Sequence, residues 1–195
     1  MGEWGVLGMV VLALLWAMVT LRRLRRLYRS VEAAYGQIDV QLQRRYALIA
    51  QWVDAARAYL AQETAVLECL LRACSEAQGA ASTARLHPGQ PGTMGALAMA
   101  EQGLNHELDR LRGLVSATPE LRSDTHMQQL GDAIATAESH IGFTRQIYND
   151  QVLGYNDHAA RLPDLLVARL MGFAPLDMLV VAPGTRVRSV PQMPL

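Results

Sequence analysis

The chain has 195 residues, of which 51% are hydrophobic, 6% aromatic and 18% charged, and its formal net charge is zero. That length allows one core-forming domain with an appendage and excludes two full catalytic domains. The composition excludes a disordered chain, and the low charge content points to a membrane segment.

The neutrality hides an asymmetry. Five of the 18 basic residues, all of them Arg, lie in residues 22–29, so residues 30–195 carry 13 Arg against 17 acids, a net of −4. An acidic body argues against nucleic acid as a partner.

In chain order, the first element is Trp4 to Leu21, 18 positions without a charge. At about 1.5 Å per residue it spans roughly 27 Å, close to the hydrocarbon thickness of a bilayer. Trp4 and Trp16 suit the interfacial levels. Only Glu3 precedes the apolar run, and Ala17-Met18-Val19 is a poor cleavage site, which argues against a secretory signal peptide. Arg22, Arg23, Arg25, Arg26 and Arg29 follow at once, with no Lys or Arg before the span. The positive-inside rule then places the amino terminus outside and the rest of the chain in the cytoplasm. The same flank suits anionic lipid headgroups. Cys69 and Cys74 lack the spacing of a metal site or redox motif, in keeping with a reducing compartment.

From Val31 a 4-3 repeat begins: Val31, Tyr35, Ile38, Leu42, Arg45, Ile49, Trp52, Ala56, Tyr59, Glu63, Val66, Leu70 and Ala73. Its apolar positions predict the seam of one or two long helices over about 22–86, broken at His87-Pro88-Gly89-Gln90-Pro91-Gly92. Leu97, Glu101, Leu104, Leu108, Leu111 and Val115 predict a helix over about 94–117. Thr118-Pro119 reads as the start of a last helix that ends near Leu162-Pro163. No long period-2 pattern occurs. The expected fold is all-α: an N-terminal transmembrane helix followed by an antiparallel long-helix, up-and-down four-helix bundle. An unbroken first helix over 22–86 would be about 97 Å long, too long for the later helices to cover. A bend near Ala47–Gln51 would resolve the mismatch, as would an exposed seam that binds a partner. Residues 174–195 carry four Pro and no stripe, and read as a flexible tail.

The stretch VEAAYGQIDVQLQRRYALI, from Val31 to Ile49, resembles the signature of the LemA family. So does RQIYNDQVLGYN, from Arg145 to Asn156, followed by Leu162-Pro163 and Gly172-Phe173. The resemblance covers about residues 1–173. It implies a small, bacterial, single-span membrane protein with a long-helix bundle behind the anchor, and it implies no agreed reaction. The family usually carries Pro where this chain has Ala50. The resulting division is 1–21 anchor, 22–30 Arg-rich segment, 31–173 bundle and 174–195 tail, located in the bacterial inner membrane.

Tyr148-Asn149 and Tyr155-Asn156 are seven apart and share a helical face. Asn is a poor helix former, so a tertiary reason is expected. One reading has these residues and Arg145 meet Gln37, Asp39, Gln41, Arg44 and Arg45 across the bundle as a register-fixing polar layer. The alternative is a ligand or partner site at the same layer.

Signals of catalysis are weak. His87, His106, His126, His140 and His158 form no Glu-x-x-His or His-x-x-x-His pair, and no P-loop, GxGxxG or GxSxG occurs. The expectation is a non-enzymatic, membrane-anchored scaffold or adaptor without cofactor, metal, small-molecule substrate or nucleic acid. Its partners would be the lipid bilayer and a protein, or a second copy, held through helix faces. The alternative is a lipid-interacting, membrane-organising protein.

Overall fold

The computed structural model describes residues 2–60 and 62–180. Every regular element among them is a helix: α1 (Gly2–Arg57), α2 (Thr64–Leu86), α3 (Thr93–Ala117), α4 (Pro119–Ser123), α5 (Thr125–Ala160) and α6 (Asp164–Leu170).

Helix α1 runs for 56 residues without a break, about 84 Å. Its first part is apolar and bare: Leu7, Leu12, Leu14 and Val19 are all more than half exposed. From Leu24 the same helix turns one stripe into the core. Val31, Tyr35, Ile38, Leu42, Ile49, Trp52 and Ala56 are buried at the expected 4-3 spacing, with Arg45 among them. Trp4 lies outside the described side chains.

Of the two ways to resolve the length mismatch, the bend at Ala47–Gln51 is absent. Neither Pro nor Gly interrupts this part of α1, and Tyr46 and Val53 pack fully in the core on either side of it. The chain instead turns between Arg57 and Thr64. Tyr59 and Glu63, expected on the seam, are exposed there. Length explains the position of the turn. Residues 22–57 of α1 number 36, and α5 has 36 residues, so each covers the other over about 54 Å.

The two helices pack antiparallel. The indole of Trp52 donates to the carbonyl of Met127 at 3.2 Å near one end. Ser30 donates to Gln151 at 2.9 Å near the other. Between them Tyr35 meets Tyr148 edge-on at 6.0 Å. Helix α2 returns along α1, with the Tyr35 hydroxyl on the carbonyl of Ala81 at 3.2 Å and Arg85 on Asp39 at 2.8 Å. Loop His87–Gly92 reverses the chain as expected. Gly89 and Gly92 sit at φ of 78° and 87°, where a side chain would strain the backbone. Helix α3 then runs back beside α2, and Arg112 on α3 meets Glu138 on α5 at 2.8 Å.

The last expected helix is divided. Pro119 opens α4, which lasts five residues. Asp124 then caps α5, its Oδ1 accepting the amides of His126 at 2.8 Å and Met127 at 3.1 Å. Those bonds satisfy two of the free donors of a helix N-terminus. Beyond Leu162-Pro163 the chain forms α6, which the sequence pattern did not disclose. It ends at Leu170, and Gly172 follows with φ of 75°.

Helices α2 and α3 have 23 and 25 residues, shorter than α5, so they leave the Leu24–Val31 end of the α1–α5 pair uncovered. Helix α6 and the segment 173–180 fill that end. The expectation of a flexible tail over 174–195 is therefore corrected for 174–180, where Leu176 and Leu179 are buried; residues 181–195 lie outside the described residues.

Candidate functional site

Two constellations of polar groups stand out, and the sequence motifs lead to both. The first holds the segment after α6. Asn149 and Asn156, on one face of α5, each bond both the main-chain N–H and the C=O of one residue. Asn156 accepts the amide of Leu176 at 2.9 Å and donates to its carbonyl at 2.8 Å. Asn149 does the same to Leu179, at 2.9 and 3.3 Å. Tyr155 donates to the carbonyl of Ala174 at 3.1 Å, and Tyr148 to that of Asp177 at 2.9 Å. The amide of Asp177 turns the other way, to the carbonyl of Gly89 at 2.8 Å.

The geometry follows from two rises. Seven residues of helix advance about 10.5 Å, and three residues of extended chain advance about 10 Å. The Asn pair on α5 is thus in step with Leu176 and Leu179. An extended segment laid on a helix brings no partners for its own main chain, and buried peptide groups left unpaired are costly. The amide side chain of Asn carries a donor and an acceptor, so it can stand where a neighbouring strand would.

The cross-bundle meeting expected for these residues is therefore corrected. The Asn pair bonds the following segment, not Gln37, Asp39, Gln41, Arg44 or Arg45. The tyrosines do reach α1, but they pack on its tyrosines. Tyr148 lies on Tyr35, and Tyr155 lies on Tyr28 at 6.2 Å. Burial raises the pKa of Tyr155 to about 12 and raises those of Tyr148 and Tyr35 as well. Arg145 is half-buried. A cleft of about 370 Å³ lies beside this clasp, lined by Tyr28, Tyr155, Phe173, Pro88, Pro91 and Pro175 among others.

The second constellation is charged and inside the core. Arg45 on α1 and Glu101 on α3 pair at 3.0 Å, and both side chains are only 4% exposed. Tyr46 donates to the other oxygen of Glu101, and Arg45 also donates to Asn105 at 3.2 Å. Burial, then the charge of Glu101, holds the Tyr46 hydroxyl protonated far above its ordinary range. Cys74 lies against Tyr46, and burial raises its thiol pKa. Of the remaining members of the expected layer, Asp39 pairs with Arg85, Gln41 is half-buried, and Gln37 and Arg44 face solvent.

Glu101 is the residue the motif reading passed over as a partner. Its signal was present: an acid at a core position of the α3 stripe and a base, Arg45, at a core position of the α1 stripe. Leu176 and Leu179 carried no such signal, because an extended segment without period has no stripe.

The Arg22, Arg23, Arg25, Arg26 and Arg29 flank is exposed on α1 directly behind the apolar span, and Arg23 reaches His158 on α5 at 3.2 Å. Among the described residues, no group of three or more His, Cys, Asp or Glu side chains converges as a metal site would require.

These features define the class: an all-helical protein in which, among the described residues, one helix near the amino terminus is long and apolar enough to cross a membrane. Within that class the chain belongs to the LemA family, whose model matches residues 34–194. The match begins inside the bundle part of α1 and continues past residue 173, the limit drawn from the motifs, so it takes in the clasped segment. No curated protein matches the chain.

Proposed function

We propose that this protein is a membrane-anchored, non-enzymatic scaffold or adaptor. Its second half of α1, with α2, α3 and α5, forms an up-and-down four-helix bundle held against the cytoplasmic face of a bacterial inner membrane, with the amino terminus outside. The observation that carries this reading is the continuity of α1. One helix is bare and apolar at its start and buried in the core at its end, with no Pro, Gly or turn from Met9 to Tyr35, where the two parts meet. A continuous helix transmits height and rotation, so the bundle's faces are presented at a set angle to the membrane.

Two exposed apolar residues mark such a face. Val40 on α1 and Phe143 on α5 are 63% and 64% exposed, and the antiparallel register of the pair sets them at nearly the same level. Arg45, Glu101 and Tyr46 inside the bundle are engaged with one another, which favours a binding role over chemistry.

Photo-crosslinking residues at Val40 and Phe143, in intact cells, test the reading. The expected result is covalent adducts with membrane proteins, or with a second copy, at one or both positions. Absence of adducts at both, in a protein whose helicity is unchanged, defeats it. Orientation is read separately from single cysteines at the amino terminus and at Ser123→Cys, of which only the first is expected to react with an impermeant reagent added outside.

A further inference from the structure

Helix α6 holds a level that its own sequence does not explain. Thr20, two residues before the first Arg of the flank, is 4% exposed, and its hydroxyl donates to Asp164 of α6 at 3.2 Å. Val167 and Ala168 turn inward and are buried. The helix is thus fastened to α1 within one turn of the point where the apolar span gives way to Arg. Its other side is apolar and bare. On α6 Leu166 and Leu170, four apart, are 64% and 86% exposed, and Leu162, just before the helix, is 75% exposed, with Arg169 and the Asp157-paired Arg161 beside them.

We propose that α6 is a foot that lies on the bilayer: Leu162, Leu166 and Leu170 enter the boundary between headgroups and acyl chains, and Arg161, Arg169 and the Arg22–Arg29 flank meet anionic headgroups. The occupant of this face is lipid, for three reasons. Its height along α1 is that of the hydrocarbon edge. Exposed leucines in water at that height are unfavourable, whereas amphipathic helices lie with such a face in the interface. The surrounding charge is mainly basic, the sign that complements an acidic membrane surface. A foot of this kind sets the tilt of the anchor as well as its depth, because the bundle would touch the membrane at two places instead of one.

The inference rests on the reading of α1 as a membrane anchor, and the test separates the two. The full chain, with exposed Cys69 replaced by Ser and buried Cys74 left in place, carries a single environment-sensitive fluorophore at Leu12→Cys, Leu166→Cys, Leu170→Cys or Gln78→Cys. Each is reconstituted in vesicles of phosphatidylcholine and phosphatidylglycerol, with and without brominated acyl chains, after circular dichroism has shown unchanged helicity. The expected result is loss of fluorescence to brominated lipid at Leu12, Leu166 and Leu170, with a blue-shifted emission, and no such loss at Gln78. Quenching at Leu12 without quenching at Leu166 and Leu170 overturns the foot and leaves the anchor. No quenching at Leu12 overturns both. Protection of Leu166 and Leu170 from aqueous iodide without bromine quenching assigns the face to a second copy of the chain, and also overturns the proposal.

Discussion

At the scale of single residues, the Arg45–Glu101 pair is the most exacting feature of the core. Both charges lose water on folding, and their attraction offsets that cost only while both are present. Arg45→Met alone leaves a buried carboxylate, and we expect it to cost about 3–5 kcal/mol in urea unfolding. Arg45→Met combined with Glu101→Leu is expected to be near neutral or stabilising by about 1–4 kcal/mol, with the double-mutant cycle as the check. A pH dependence follows from the buried tyrosines. Tyr35, Tyr46, Tyr148 and Tyr155 all have folded pKa values raised above 10.0. The folded state therefore keeps protons that the unfolded chain releases. The stability they contribute is present below pH 10 and is lost as pH rises through 10 toward the folded values. Thermal melts are expected to fall steeply above that pH, and Tyr148→Phe, which removes one such group, is expected to flatten the alkaline fall.

At the scale of elements, the caps and clasps carry the testable detail. Asp124 holds the start of α5, and the backbone amides of Met127 and His126 keep its carboxyl below the usual range. A lowered folded pKa contributes stability above the unfolded value and loses it as pH falls, so the wild type is expected to weaken in acid below about pH 4. Asp124→Ala is expected to lower the melting temperature at neutral pH and to reduce that acid dependence. The Asn clasp makes a different prediction. Asn149→Leu and Asn156→Leu each remove a donor and an acceptor from a partly buried main chain, at a cost of about 1–3 kcal/mol locally. Hydrogen exchange at the amides of Leu179 and Leu176 is expected to quicken in the respective variants, while the amides of α3 keep their protection. If both variants fold and keep their crosslinked partners, the Asn pair serves the segment it holds. The core itself is ordinary packing: Leu104→Ala, at a fully buried site on α3, is expected to cost about 2–5 kcal/mol.

At the scale of the whole molecule, helix lengths decide how the parts meet. The 36-residue match between residues 22–57 and α5 sets where α1 stops, and the shortfall of α2 and α3 sets what must be covered by other means. The all-helical fold, the apolar span and the Arg flank were legible in the sequence because each is a local pattern, a period or a run of like residues. The family was legible for the same reason, in two motifs each within one helix. The break between α1 and α2 was not, since neither Pro nor Gly marks it and the seam continues through it; the helix ends where its partner α5 begins. Helix α6 was missed because seven residues are too few to establish a period. The polar motifs announced that something was held but not what, since the spacing of Asn149 and Asn156 fits an opposing helix as well as an extended chain. By itself the sequence determined which segments are helical, which stripes are apolar and where an apolar span and its basic flank lie, because backbone propensity and hydrophobic period act over a few residues. Only the tertiary structure decided that Arg45 answers Glu101, that the Asn pair grips the segment after α6, and that α6 sits at the level of Thr20. Those outcomes depend on which surfaces are left uncovered once the long helices have paired.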